Sequence, residues 1–96
     1  MNKIAYVSGN VSGHPKEIIK NKFNVFAKKL INMGYQVVSP LGVYESELQN
    51  SDASKADIKK LMECDEVHML PDWQESRGAQ LHRDIAVRLG MRVVYH

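Results

Sequence analysis

The sequence is poor in the residues that staple a chain or carry it across a membrane. It holds one cysteine, Cys64, among 96 residues. That excludes an internal disulfide and any zinc site built on several thiolates, and a lone thiol fits a reducing compartment better than secretion. No apolar run approaches the length that crosses a bilayer, and the stretch from Ile4 to Ser8 is too short for the core of a signal peptide. The expectation is a cytoplasmic protein with no membrane partner. An excess of charge is missing too: 13 Lys and Arg stand against 11 Asp and Glu, for a net +2. That balance is too weak and too scattered to argue for a nucleic-acid polymer. What is present is ordinary for a folded domain, with 44% hydrophobic and 25% charged residues. The length suits a single domain with one core, spanning residues 1–96.

Short apolar runs alternate with helical patterns. Ile4 to Ser8 ends in Ser8-Gly9 and lacks polar alternation, as a strand buried on both faces does. From Pro15, residues Ile19, Phe23, Phe26, Ala27, Leu30 and Ile31 recur at helical spacing, with Lys16, Lys20, Lys22, Lys28 and Lys29 on what reads as a solvated face. Gly34 closes that helix. Tyr35 to Ser39 predicts a second strand, and Ser54 an N-cap for a helix carrying Ala56, Ile58, Leu61 and Met62 that Asp65 and Glu66 close. Val67 to Leu70 predicts the third strand, and Met91 to Tyr95 the fourth. Between Leu41 and Ala53 no period persists; a loop or short irregular helix is expected, with Tyr44, Glu45 and Glu47 as possible ligand contacts. The order predicts a three-layer α/β, flavodoxin- or Rossmann-like fold: about four parallel strands in order 2-1-3-4 with helices on both faces.

In such a sheet the topological switch point lies between the first and third strands, and ligands bind past the strands' carboxyl ends. Two polar loops follow those strands. The first, SGNVSGHP, offers Ser8, Gly9, Asn10, Ser12 and Gly13, residues that let backbone amides approach a ligand and add side-chain donors. The second runs from Pro71 through Asp72, Trp73 and Glu75 into a helix whose first turn is read as Ser76, Arg77 and Gly78. A helix N-terminus with a serine and an arginine suits an anion, phosphate first. Cys64 reads as a small buried residue, and His68 as a core or edge histidine. No second histidine sits at ligand spacing from it, so neither a metal nor a cofactor is expected.

YVSGNVSG, the MGYQVVSP strand, CDEVHMLPDW and SRGAQLHRDIAVRLGMRVV together resemble the nucleoside 2-deoxyribosyltransferase-like superfamily, in its small bacterial and phage branch of uncharacterised function. The resemblance covers nearly the whole chain. It implies a nucleoside or nucleotide pocket lined by the two loops, a homodimer or higher homo-oligomer, and cleavage or exchange of an N-glycosidic bond through a glutamate in the helix after SRGA. This chain departs at that position: the spacing runs Gly78-Ala79-Gln80-Leu81-His82, with histidine where glutamate is expected. Imidazole supplies no negative charge to an oxocarbenium-like transition state, which argues against the covalent route. Asp84, further along the same helix, projects from a different side at about 100° per residue.

Two readings follow. In the first, the protein hydrolyses an N-glycosidic bond of a nucleoside monophosphate or ADP-ribose-like nucleotide, with Asp72 as acid and His82 as base; Glu75 is a further candidate. In the alternative, it is a non-catalytic nucleotide binder, a sensor or sequestering protein that keeps Ser8, Gly9, Ser76, Arg77 and Gly78. A lesser reading makes Tyr44 and Trp73 interface anchors of an interaction domain.

Overall fold

The computed structural model describes residues 2–40 and 50–96, with the side chains of 50–54 also left aside. The apolar runs form a parallel sheet of β1 (Ile4–Ser8), β2 (Gln36–Val38), β3 (Glu66–Met69) and β4 (Arg92–Tyr95), in order β2-β1-β3-β4. Three helices flank it: α1 (Lys16–Asn32), α2 (Asn50–Met62) and α3 (Arg77–Arg88), with a 3-10 turn at Trp73–Glu75 leading into α3. This is the α/β arrangement that the sequence predicts.

Alternation along the strands sorts their side chains into two apolar layers. Ala5 and Val7 of β1 pack with Ile19, Phe23 and Leu30 of α1 and with Leu70. On the opposite face Tyr6, Val67 and Met69 meet Leu61 and Cys64 from the α2 side and Ala79 and Ala86 from α3. So α1 covers one face of the sheet, and α2 with α3 the other. Gly34 ends α1 with φ +98°, in the left-handed region that glycine enters at least cost. Tyr35 N–H then returns to Leu30 O at 3.0 Å and aims the chain into β2.

Three local expectations need correction. Helix α2 already includes Asn50 rather than starting at Ser54; Asn, Ser and Asp are favoured at helix starts as much as in turns, so NSDAS is a helix beginning. Its inner side buries Asp57 with Leu61, while Met62 is exposed. Residues 41–49, with Tyr44, Glu45 and Glu47, lie outside the described residues.

The third correction is Glu66, which opens β3 instead of closing α2 and is only 2% exposed. Its Oε1 accepts from Tyr35 Oη at 2.8 Å and from His68 Nε2 at 3.0 Å, while Oε2 lies 3.3 Å from Lys3 Nζ and 3.8 Å from Arg92 Nη1. Burial pushes this carboxyl's pKa up, but the bonds from Tyr35, His68 and Lys3, with Arg92, outweigh it and hold the group below its ordinary range. His68 is the buried histidine that the sequence suggests, and the fold brings His96 Nε2 to 2.9 Å from its Nδ1. One of these two nitrogens carries the proton that the other accepts. The centroids of the two rings are 5.2 Å apart, about two ring radii plus the hydrogen bond, so the nitrogens face each other along one line. A Glu66–His68–His96 chain, buried at Glu66 and His68 and partly exposed at His96, thus runs along the α1 face.

Phe23 is fully buried and Phe26 only partly so. Phe23→Ala is expected to cost about 3–5 kcal/mol by urea unfolding, and Phe26→Ala clearly less. Equal losses would contradict this orientation of α1.

Candidate functional site

The chain leaves β1 toward α1 on one face of the sheet and leaves β3 toward α3 on the other, so the loops after β1 and β3 meet side by side. Leu70 N–H donates to Ser8 O at 2.8 Å, extending the strand pairing into the loops. Gly9 packs directly on this turn: a Cβ there would lie 2.8 Å from Leu70 Cβ, 2.9 Å from Leu70 Cδ1 and 3.0 Å from Asp72 Oδ1. Only glycine permits the contact without a shift.

Asp72 then ties the loops together. Its Oδ1 accepts from Asn10 N–H at 3.1 Å, and its Oδ2 pairs with Lys22 Nζ at 2.5 Å. The same ammonium donates to Asn10 O at 2.7 Å. Asn10 Oδ1 in turn accepts from Ser12 N–H and Ser12 Oγ–H, each at 3.2 Å, and shapes the loop from within. Lys22 therefore belongs to the site rather than to a solvated face. The sequence carries no signal for it, since its spacing on α1 is that of the exposed lysines. Gly13 stands in the open with φ +80°, and a Cβ there would meet nothing within 4 Å.

Across the junction, Ser76 is the N-cap of α3 rather than part of its first turn: its Oγ accepts from Ala79 N–H at 3.2 Å, and its carbonyl accepts from Gln80 N–H at 2.9 Å. Arg77 and Gly78 are exposed and begin the helix, where backbone N–H groups lack intrahelical acceptors. A Cβ at Gly78 would meet only Ser76 Oγ, at 3.7 Å, so packing does not demand this glycine; it leaves the turn bare. Trp73 turns the other way, its ring 5.7 Å from that of Tyr95 and 5.8 Å from the Arg83 guanidinium. Glu75 is exposed at the end of the 3-10 turn, and Asp84 is exposed beside Arg83.

Below the first turn of α3 lies His82, 5% exposed. Its Nδ1 is 2.8 Å from Ser8 Oγ, and its ring stands edge-on to Tyr6 at 5.2 Å. Burial pulls the imidazole pKa down to about 4, so the ring is neutral near pH 7. Tyr6 Oη, fully buried, has no hydrogen-bond partner among the described residues; burial, then Asp57 and Cys64, push its pKa up. The Cys64 thiol donates to Lys60 O and is pushed up to about 11 by burial, then by Asp65 and Glu63, which leaves it unreactive. Among the described residues no group of three or more His, Cys, Asp or Glu is placed to hold a metal ion.

The fold thus joins Ser8, Gly9, Asn10, Asp72 and His82 through direct contacts, with Ser76, Arg77 and Gly78 on the turn above His82. Chemically the junction offers backbone donors and an arginine for an anion, a neutral Ser8–His82 pair, and a carboxylate already engaged by two donors.

Neutral His82 makes a pH prediction. Its folded pKa of about 4 lies below the unfolded 6.5, so the unfolded chain takes up a proton first as the pH falls. The stability tied to this group is complete above about pH 6.5 and is lost progressively toward pH 4, by about 2–3 kcal/mol at pH 4.5. His82→Gln is expected to lose that much less than the parent chain between pH 7 and 4.5 in urea titrations; parallel pH profiles would contradict it.

A comparison with curated proteins returns no match. The profile of one family, described as "Domain of unknown function (DUF4406)", matches residues 3–95, and the chain belongs to that family.

Proposed function

We propose that this protein binds a nucleoside monophosphate, or an ADP-ribose-like nucleotide, at the junction of the two loops. The observation that carries this reading is the pairing of the exposed first turn of α3 with the buried Ser8–His82 pair one turn below it, at the switch point of the sheet. Phosphate is assigned to the Arg77 and Gly78 amides and the Arg77 guanidinium. The sugar lies toward Ser8 and His82. The likeness of SRGAQLH and CDEVHMLPDW to the nucleoside 2-deoxyribosyltransferase-like superfamily supports a nucleotide as the ligand, and that superfamily's habit of assembly supports a homo-oligomer.

Holding the ligand without turning it over fits the site better than covalent cleavage. At the position of the expected glutamate stands a neutral imidazole, and Asp72, the acid candidate, accepts from both Asn10 and Lys22. One observation favours hydrolysis as a second reading: His82 is neutral and oriented by Ser8. If Ser8 accepts from Nδ1–H, Nε2 carries the lone pair and can take a proton from water as it attacks the anomeric carbon. If Ser8 donates to Nδ1, Nε2 is a donor and only binding results.

Incubating the protein with a panel of nucleosides and nucleotides, while following free base and bound ligand, separates the readings. Stoichiometric binding of intact ligand is the expected result; base release over many turnovers would favour the hydrolase, and no binding would remove both. Arg77→Ala is expected to weaken a phosphorylated ligand by about 1.5–3 kcal/mol and leave the nucleoside almost unaffected. Equal losses for both would contradict the phosphate assignment.

A further inference from the structure

Lys22 and Asp72 are each 23% exposed, and their ion pair captures both main-chain groups of Asn10. Asp72 takes the N–H, Lys22 takes the carbonyl, and the two close on each other. This clasp spans the seam between a loop that leads into α1 and a loop that leads into α3. Gly9 sits inside it against Leu70 and Asp72, one residue from the serine that holds His82. The clasp therefore fixes the angle at which the first loop crosses the second.

The pair also has an electrostatic role. Asp72 brings a negative charge to a junction assigned above to an anion, and a bare carboxylate there repels phosphate. Lys22 cancels that charge at hydrogen-bonding distance, and partial burial spares the pair much of the screening met by a surface ion pair.

We propose that Lys22 is a positioning residue of the nucleotide site: it holds the two loops in register and neutralises Asp72, so that the junction accepts a phosphorylated ligand. This inference rests on the nucleotide reading, and it assigns a role to a residue that touches the loops rather than the reacting atoms.

The test measures affinity for nucleoside monophosphates of the common bases, and for the matching nucleosides, in four variants besides the parent chain. Urea unfolding of each variant establishes that binding is measured on folded protein. Lys22→Met is expected to bind the monophosphate about tenfold more weakly, and the nucleoside with a smaller loss. Lys22→Arg, which keeps the charge and can span both acceptors, is expected to stay within about threefold of the parent. Asp72→Asn keeps an oxygen for Asn10 N–H but loses the acceptor for Lys22, and is expected to weaken the monophosphate clearly less than Lys22→Met does. Combining Lys22→Met with Asp72→Asn removes the stranded carboxylate and is expected to recover much of the loss. A purely structural lysine changes the urea midpoint without this dependence on phosphate, and would not be rescued by Asp72→Asn.

Parent-like affinity in folded Lys22→Met, or a double variant no better than Lys22→Met, overturns the proposal. If Lys22→Met does not fold, Lys22→Gln takes its place, with the same outcomes required. Failure of the parent chain itself to bind any probe overturns the nucleotide reading, a result distinct from either failure of the clasp.

Discussion

The carboxylate of Asp72 is the constraint on which the junction depends. One oxygen holds a backbone amide of the loop after β1, and the other holds a lysine from α1, so a residue that follows β3 fixes the geometry of a loop that follows β1. The parallel pairing of β1 with β3 brings the loops alongside, with Ser8 opposite Met69 in the register. Gly9 then lets them touch, because no side chain stands between it and Leu70. Hydrogen bonds at such a seam contribute little each against water, but leaving a half-buried carboxylate or carbonyl without its partner costs more than the bond returns. That asymmetry makes the arrangement specific.

The same reasoning separates the two polar chains of the fold. Around Glu66, Tyr35, His68, Lys3 and Arg92 gather on a carboxylate buried by α1, and His96 extends the chain. Glu66 Oε1 is satisfied by Tyr35 and His68, while Oε2 has only the ion pairs to Lys3 and Arg92 and no hydrogen bond. On the opposite face, His82 bonds Ser8, while the neighbouring Tyr6 hydroxyl is buried with no described partner. Ser8, at the carboxyl end of β1, and His82 lie at the end of a parallel sheet where ligands bind.

Much of the architecture is legible in the sequence, because each strand is a short apolar run bounded by glycine, proline or charge, and α1 repeats its apolar residues at helical spacing. Alternation of strand and helix with right-handed crossovers gives a parallel sheet, and the order 2-1-3-4 is the simplest that places helices on both faces. Both loops of the candidate site are visible for the same reason, as polar stretches after the first and third strands. What stays hidden is long-range pairing. Lys22 has the spacing of an exposed lysine, and only the fold brings it to Asp72; His96 reaches His68 by the same route. Glu66 reads as the end of a helix because a carboxylate in a buried strand is costly, and only Tyr35, His68, Lys3 and Arg92 together make it tolerable. Ser76 reads as an anion contact in the first turn of the helix, and the structure makes it the N-cap instead.

Backbone amide shifts in a two-dimensional NMR titration of the chain with a nucleoside monophosphate test the central claim most directly. Saturable changes are expected to concentrate at Gly9, Asn10, Arg77, Gly78 and Ala79, with the amides of β2 and the end of α1 unmoved. Saturable changes centred elsewhere, or a spectrum unchanged by any nucleotide, would contradict it.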